Sequence, residues 1–286
     1  MAERRPRRRG RFFAALAIGV VVASVVMLVL AARARRGGPR VAEGSHAFPT
    51  GGAARTRTTS ATEGEAGPAR DLVEDGQRHD VKVFRFALAE HELSLEDVGM
   101  GRALDAVLER TSAELAVNAG FFDPEGKAVG FALSRGAVLS RHSRAASGGV
   151  LTFDGSRAVL HEAETFALPA GATFGIQCKP RLVVGGTANV RRDDGKRSER
   201  TALCLRDGGT TLEVVIARAA SDSAGEAPGP SLHALAQHLV LRGCEDALNL
   251  DGGPSTGYAA RAPDGTIERA LPRGGVRHTI VIRRRK

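Results

Sequence analysis

Short apolar stretches, separated by glycine or by Asp-Gly pairs, are the feature that most limits what this chain can fold into. The stretch from Asp80 to Leu88 alternates apolar and polar side chains, which is the period of a half-buried β-strand. Glycine and Asp-Gly supply the tight turns that join such strands. Further strands are predicted at 113–122, 128–140, 149–161, 180–186, 200–206, 211–218, 246–250 and 277–283.

Two segments have helical spacing instead. Residues 102–111 repeat apolar side chains three and four positions apart, and residues 231–243 do so between an N-cap candidate, Ser231, and a C-terminal glycine, Gly243. Many strands accompanied by two helices predict an α+β fold built around a largely antiparallel sheet.

The positive charge of the chain is concentrated at its N-terminus. The formal net charge is +9, and residues 1–40 account for all of it because they hold ten arginines and one acidic residue, Glu3. The remaining residues hold 31 basic and 31 acidic side chains, with one tyrosine and no tryptophan. A neutral body with so few stacking side chains is not typical of a nucleic-acid-binding protein, so we expect no nucleic acid as a partner.

An uncharged apolar run of 21 residues, 12–32, follows six arginines and precedes a weaker basic cluster. About 20 apolar residues span a bilayer as a helix, and the more basic flank stays in the cytoplasm. We therefore predict a cytoplasmic basic tail and transmembrane anchor at 1–36, contacting the membrane through 12–32. The C-terminal domain would then be outside the cytoplasm, periplasmic or extracellular. The alternative is signal-peptide cleavage at Ala32-Arg33-Ala34, which would give a secreted protein.

Residues 37–78 are rich in Gly, Ala, Thr, Pro and Arg and poor in large apolar side chains. Such a composition buries too little surface to fold, so this segment is predicted to be a flexible, disordered linker. The folded domain is then predicted to comprise residues 79–286.

Three cysteines, Cys178, Cys204 and Cys244, fall in the predicted domain. Their spacing is not that of a metal site. One disulfide with one remaining thiol is compatible with the sequence, which does not identify the pair. The other interpretation is that all three are buried as small apolar residues.

Three regions combine polar side chains with glycines where predicted strands end. Taken singly, each can be an ordinary turn or a solvated surface. Together they offer an amide for sugar hydroxyls, guanidinium groups for a phosphate, and glycines that allow the backbone to approach a ligand. The regions are 118–130, 179–186 together with 199–205, and 247–258.

Four motifs in these regions follow the order found in a known family. They are NAGFF at 118–122, PR at 180–181, RTALCL at 200–205 and GCEDALNLDGGPST at 243–256. With the closing RHTIVI, they make residues 80–284 resemble the phosphodiester glycosidase family. The resemblance implies an α+β fold and a hydrolase that cleaves the glycosidic C–O bond of a sugar-1-phosphodiester, so a phosphorylated glycan is the expected partner. The implied catalytic residues are Asp251, Arg181 and Arg200, and the implied substrate-binding residues are Asn118, Gly120, Phe121, Thr201, Gly252, Gly253, Ser255 and Thr256.

One position departs from the family pattern. A third glycine and then serine commonly follow LDGG in the family, whereas this chain has Pro254. Proline fixes φ and has no N–H, so one amide that could contact a ligand is missing. This departure bears on both substrate choice and activity.

We expect Asp251 to act at the anomeric carbon, as the base for water or as the nucleophile. Glycosidases commonly use two carboxylates, but a phosphate monoester leaves readily without protonation. Arg181 and Arg200 are expected to stabilise the phosphate charge. Asn118 and the backbone of the two glycines are expected to hold the sugar.

Other side chains are weaker candidates for the same chemistry. His233, His238 and His278 are candidate acid–base partners, and Asp123 and Glu125 are candidates for a second carboxylate or a cation ligand. The sequence establishes no cofactor with certainty, and a divalent cation is left open. The alternative function is a non-catalytic envelope module that binds phosphorylated glycans.

Overall fold

The computed structural model describes residues 72–144, 147–220 and 229–286. These residues form 17 strands and two α-helices, and their strand pairings are antiparallel. The predicted α+β class with few helices is therefore confirmed for this part of the chain. The predicted basic tail, transmembrane helix and most of the linker lie outside the described residues, within which no helix is long and apolar enough to cross a bilayer.

The strands form three sheets rather than the single sheet predicted. The first sheet has the order β1 (Leu72–Glu74), β2 (Gln77–Ala87), β13 (Thr211–Ala219), β12 (Arg200–Arg206), β14 (Asp246–Asn249), β10 (Arg181–Val184), β11 (Thr187–Ala188). The second has the order β16 (Ile267–Ala270), β15 (Tyr258–Arg261), β4 (Leu115–Asn118), β17 (Val276–Arg284), β3 (His91–Gly101). The third has the order β6 (Ala137–Ser140), β5 (Ala132–Ser134), β9 (Phe174–Cys178), β7 (Gly149–Phe153), β8 (Ala158–Glu162).

One apolar core is shared by all three sheets. It contains, for example, Val214 of the first sheet, Ile280 of the second and Ile176 of the third. Successive side chains of a strand point to opposite faces. In β12, Leu203 therefore enters this core while Ala202 enters a separate cluster with the helix at Leu232–Leu241.

Each helix covers the outer face of one sheet. Helix α2 (Leu232–Leu241) packs Leu235 and Leu239 against the first sheet, and helix α1 (Leu104–Thr111) packs Leu104 and Leu108 against the second. The predicted N-cap of α2 is confirmed, since the Ser231 hydroxyl accepts a hydrogen bond from the N–H of Ala234 at 3.0 Å. Both helices lie where the sequence predicted them.

The sequence pattern missed the strands β3, β9, β15 and β16, and it assigned the residues of β1 to the linker. Strand β3 mixes charged and apolar residues because half of it is solvated, and β9 is a buried run of only five residues. Strands β15 and β16 are four residues each. Leu72 is 2% exposed and pairs with His79, so residues 72–78 belong to the first sheet and not to the linker.

The disulfide that the sequence left open joins Cys204 to Cys244, with 5.6 Å between their Cα atoms. It connects β12 to the residue segment between α2 and β14. Cys178 is a buried thiol, and burial raises its pKa to about 12. The interpretation with one disulfide and one remaining thiol is therefore confirmed, and the interpretation that all three cysteines are only small apolar residues is wrong.

Candidate active site

Three connections between the sheets converge on one cavity. They run from β4 to β5, from β9 to β10 and from β14 to β15, and each leaves one sheet for another. The cavity has a volume of about 550 Å³. It is lined by Phe121, Ser147, Gly148, Lys179, Pro180, Ser198, Arg200, Leu232, Asn249, Leu250, Asp251, Gly252, Gly253 and Pro254.

Asp251 lies in this cavity, as the sequence predicted. It follows β14, and its backbone N–H donates to the carbonyl of Ala119 at 3.1 Å. Its Oδ1 accepts a hydrogen bond from the N–H of Gly252 at 2.9 Å. Burial raises the pKa of Asp251, and hydrogen bonds from the Ser255 hydroxyl and the Gly252 amide oppose that rise. A carboxylate whose pKa is raised in a cavity is suited to accept a proton or to attack an electrophile.

The two glycines allow close packing of the loop rather than contact with a ligand through their amides. A Cβ on Gly252 would lie 2.7 Å from the carbonyl oxygen of Glu199, and Gly253 has a φ of +58°. The N–H of Gly252 is bound to Asp251, and that of Gly253 to the Glu199 carbonyl at 2.8 Å. Both amides thus have partners within the protein, so this geometry does not favour the expectation that they hold the sugar, which stays a prediction.

Pro254 lies at the exposed margin of the cavity and lines it directly. The N–H groups that follow it, on Ser255 and Thr256, donate to the carbonyls of Gly252 and Gly253 at 3.2 and 3.0 Å. Ser255 and Thr256 are buried and do not line the cavity. Both residues therefore shape the loop, and Ser255 also acts on Asp251 through its hydroxyl.

Asn118 is part of the scaffold beneath Asp251. Its Nδ2 donates to the backbone oxygen of Asp251 at 2.7 Å. Its Oδ1 accepts from the hydroxyl of Thr201 at 2.8 Å and from the N–H of Gly257 at 3.2 Å. Asn118 and Thr201 are fully buried and neither lines the cavity, so the expectation that they contact sugar is corrected to a positioning role.

Only part of the NAGFF motif, residues 118–122, contributes to the lining of the cavity. Phe121 lines the cavity and offers an aromatic wall. Gly120 does not line it, and a Cβ there would lie 3.5 Å from the carbonyl of Gln177. Of the three residues matched in this motif, only the phenylalanine is placed to contact a ligand in the cavity.

One of the two predicted arginines reaches the cavity. Arg200 lines it, and its Nε and Nη2 donate to the carbonyls of Pro230 and Lys196, each at 3.0 Å. Burial lowers the pKa of its guanidinium, and no carboxylate of the described residues lies within ion-pair distance of it. Its positive charge is thus available to an anion.

Arg181 is placed elsewhere. Its Nη2 forms an ion pair with Glu162 at 2.7 Å, and it does not line the cavity. The second cation in the cavity is Lys179, which sequence reasoning missed. Its position immediately before the Pro-Arg motif was the available signal.

Asn249 is a second residue that sequence reasoning missed. It is 5% exposed and lines the cavity, and its Nδ2 donates to the carbonyls of Lys179 and Leu250 at 2.9 and 2.7 Å. Its Oδ1 has no hydrogen-bond partner among the described residues. A buried acceptor without a partner is costly, so this oxygen is suited to receive a ligand O–H or N–H. The signal was a single amide in the apolar approach to Asp251.

The weaker candidates do not join the cavity. His233 contacts the carbonyl of Val190, and His238 is buried with a pKa lowered to about 4 by burial and by a nearby arginine. His278 and Glu125 line a different cavity, of about 430 Å³. Asp123 accepts the N–H of Lys127 in a local turn. Among the described residues, Asp251 is the carboxylate that lines the predicted site.

The arrangement combines a buried carboxylate, two cations, an unpartnered amide oxygen and apolar walls. Carboxylate and cations together suit a substrate that carries a negative charge next to an electrophilic carbon. Groups of three acidic or cysteine side chains that could hold a metal occur in the described residues at Glu74, Asp75 and Asp193, and at Cys204, Glu213 and Cys244, whose sulfurs form the disulfide. Neither group includes Asp251.

The sequence matches the phosphodiester glycosidase family over residues 111–277. A sequence comparison with curated proteins found no match.

Three solved structures have the same fold. A hypothetical protein from Synechocystis superposes with a TM-score of 0.56 at 16% identity, over 76% of this chain and 61% of that chain. The catalytic domain of zebrafish N-acetylglucosamine-1-phosphodiester alpha-N-acetylglucosaminidase, auto-inhibited by its pro-peptide, gives 0.53 at 14% identity, over 76% and 87%. A putative exported protein from Burkholderia pseudomallei gives 0.51 at 14% identity, over 74% and 75%.

At these identities the structural similarity concerns the fold. The sequence match extends over more than half of the chain and includes Asn118, Arg200 and Asp251. On this evidence the chain belongs to the phosphodiester glycosidase family.

Proposed function

We propose that this protein hydrolyses the glycosidic C–O bond of a sugar-1-phosphodiester, releasing a free sugar and a phosphate monoester. The family is one of glycosidase-type hydrolases. The observation that supports the proposal most directly is the presence of Asp251, Arg200 and Lys179 in the lining of a single cavity. That combination provides a group for the anomeric carbon and positive charges for the phosphodiester.

Asp251 is the group that acts at the anomeric carbon, directly or through a water molecule. Its Oδ1 accepts the Gly252 N–H, and this hydrogen bond helps to orient the carboxylate in the cavity. A second carboxylate is needed in most glycosidases to protonate the leaving alcohol. A phosphate monoester is already a good leaving group, so positive charge can replace that proton donor.

Arg200 and Lys179 bind the phosphate and stabilise the charge that develops as the C–O bond breaks. Arg200 is held by two backbone carbonyls, so its guanidinium is oriented before the substrate arrives. The unpartnered Oδ1 of Asn249 accepts a hydrogen bond from a sugar hydroxyl, and Phe121 packs against the apolar face of the ring.

Export and anchoring belong to the same proposal. The basic and apolar pattern of residues 1–36 supports a membrane anchor with the domain outside the cytoplasm, and signal cleavage would instead release it. The disulfide between Cys204 and Cys244 supports an oxidising compartment, where such bonds persist. Because the three native cysteines are buried, a Leu168→Cys variant would carry an exposed thiol for the test. Alkylation of intact cells with a reagent that does not cross membranes would then show which side of the membrane the domain occupies.

The test of the reaction is hydrolysis of a glycosyl methyl phosphate by the full chain in water enriched with oxygen-18. Cleavage of the glycosidic C–O bond puts the label on the anomeric oxygen of the sugar, whereas cleavage of a P–O bond puts it in the phosphate. The anomer released first gives the stereochemistry, which separates a covalent intermediate from direct attack by water.

Asp251→Asn should lose turnover by about 10²- to 10⁴-fold while the substrate still binds. Asp246→Asn is the matched control, because Asp246 begins the strand that leads to Asp251 and does not line the cavity. Label in the phosphate, or unchanged turnover in Asp251→Asn, would refute the proposed mechanism. Binding of the diester without any turnover by the wild type would favour the non-catalytic glycan-binding module.

A further inference from the structure

A buried carboxylate lies next to the loop that carries Asp251 but does not line the cavity. Glu199 is 7% exposed and immediately precedes Arg200. Its carbonyl oxygen accepts a hydrogen bond from the N–H of Gly253 at 2.8 Å and occupies the space that a Cβ on Gly252 would need. The backbone of Glu199 therefore contacts the loop at both glycines.

The side chain of Glu199 connects this loop to two other parts of the chain. Oε1 accepts a hydrogen bond from Nη1 of Arg273 at 2.8 Å and lies 4.0 Å from Nε of Arg218 on β13. Nη2 of Arg218 donates to the carbonyl of Thr256 at 2.7 Å. The charge of Glu199 thus holds an arginine that binds the far end of the loop.

The segment around Arg273 packs against the same loop. The N–H of Gly274 donates to the carbonyl of Pro254 at 2.8 Å, and a Cβ on Gly257 would lie 2.4 Å from Cδ of Pro272. The loop 252–257 is therefore enclosed between Glu199 with Arg218 and the segment 272–274. We call Glu199, Arg218 and Arg273 the loop brace.

The loop brace and the loop that it contacts contain buried hydrogen-bonding groups without a partner among the described residues. Oε2 of Glu199, Nε of Arg218 and Oγ1 of Thr256 are buried without a partner. Removing the carboxylate would leave a part-buried guanidinium without its nearest negative charge, which is destabilising. The orientation of Arg218, and through it of Thr256, consequently depends on Glu199.

We propose that Glu199 is a positioning residue for Asp251: through Arg218 and Arg273 it fixes the loop 252–256, and with it the orientation of the carboxylate. This inference rests on the proposed function for its catalytic readout. It assigns Glu199 no contact with the substrate.

The experiment compares Glu199→Gln with Glu162→Gln in the full chain. Glu162 also pairs with an arginine, Arg181, but neither partner lines the cavity. Glu199→Gln should lower kcat about 10- to 100-fold, the size of effect that follows a small displacement of a catalytic group, with little change in KM. The acid limb of its kcat/KM profile should move to lower pH, because a looser loop exposes Asp251 to water. Glu162→Gln should leave all three quantities unchanged, and Glu199→Asp should recover part of kcat.

A second variant allows the test to be made if Glu199→Gln does not fold, and a second measurement allows it to be made if the protein does not catalyse the proposed reaction. Arg273→Gln removes the more exposed arm of the loop brace and should lower kcat in the same direction as Glu199→Gln. Exchange of the amide hydrogens of Gly252, Gly253, Ser255 and Thr256 should be faster in both variants than in the wild type. If the wild type has no hydrolase activity, the proposed function fails while exchange still decides the loop brace. Unchanged kcat and unchanged exchange in folded Arg273→Gln and Glu199→Gln would overturn the inference, as would a rise in KM without a loss of kcat.

Discussion

The side-chain nitrogen of Asn118 donates a hydrogen bond to the backbone oxygen of Asp251 at 2.7 Å, across a sequence separation of 133 residues. Asn118 ends β4 of the second sheet, and Asp251 follows β14 of the first. This contact and the bond from Thr201 to Asn118 join the two sheets directly beneath the cavity. These hydrogen bonds make Asn118 a residue that positions the carboxylate of Asp251, and not a residue that binds the substrate.

Asn118→Ala should therefore reduce both stability and activity. It leaves three buried groups without their partner, the Asp251 carbonyl, the Thr201 hydroxyl and the Gly257 N–H. Each unsatisfied buried group costs about 1–3 kcal/mol, so the free energy of unfolding in urea should fall by roughly 3 kcal/mol or more. Asn189→Ala is the control, since its amide makes one exposed bond to the Arg181 carbonyl and its loss should cost less than about 0.5 kcal/mol. Equal losses in the two variants would contradict the scaffold role.

Asp251→Asn should make the protein more stable at neutral pH, although it removes activity. Burial raises the pKa of Asp251 in the folded state above its unfolded value. Above the folded pKa both states are ionised, and the folded state bears the cost of a buried charge; below the unfolded pKa that cost is gone. The stability difference between Asp251→Asn and wild type should be largest at neutral pH and shrink as the pH falls through the folded pKa. Urea unfolding at a series of pH values measures it, and a difference that grows on acidification would show that the pKa is lowered instead.

The cations of the cavity should differ from Arg181 in their effect on substrate. Arg200→Met and Lys179→Met should each weaken binding of a phosphodiester by about 10- to 100-fold, the loss expected for one charge-assisted hydrogen bond of about 1.5–3 kcal/mol. Arg181→Met should change it by less than about threefold, because an ion pair with a half-exposed Glu162 contributes little. Titration calorimetry with a non-hydrolysable glycosyl phosphonate would measure all three. Strong loss in Arg181→Met alone would restore the arginine pair expected from sequence.

Loss of the disulfide should lower stability more than loss of the remaining thiol. Cys204 and Cys244 enclose a loop with a sequence separation of 40. Closing a loop of that length restricts the unfolded chain by about 4 kcal/mol in the chain-entropy description. The double variant Cys204→Ala, Cys244→Ala should show a fall of that order in the free energy of unfolding. A fall below about 1 kcal/mol would mean that strain in the folded state offsets the constraint.

Cys178 should resist alkylation in the folded protein. The thiol is fully buried, and burial raises its pKa to about 12. At pH 8 the alkylating reagent therefore cannot reach the sulfur, and the sulfur is not ionised to the reactive thiolate. Iodoacetamide followed by mass spectrometry should find Cys178 unlabelled without denaturant and labelled in concentrated urea. Comparable labelling rates in the two conditions would show that the structure around Cys178 opens in the folded protein.

Much of the fold could be predicted because local patterns specify it. Alternating side chains located β2, and the N-cap and stop of α2 were visible at Ser231 and Gly243. The strands that were missed lack such a pattern: β3 carries charges on a solvated face, and β9 is short and buried on both sides. The local sequence does not indicate that the strands are divided among three sheets.

Part of the candidate site could also be predicted, because local motifs in the sequence indicated some of its residues. Asp251, Arg200 and Phe121 stand in motifs whose order alone indicated their importance, and all three line the cavity. The motif could not show that Arg181 turns to Glu162, since neighbouring positions on a strand point in opposite directions.

By itself the sequence determined the α+β class, the position of both helices and the placement of a carboxylate after an apolar strand. The tertiary structure decided which motif residues face the cavity and which support it. Residues far apart in sequence, such as Glu199 with Arg273, become neighbours only when three sheets pack on one core. Their roles depend on direction, burial and hydrogen-bond partners, which long-range packing sets and local sequence does not encode.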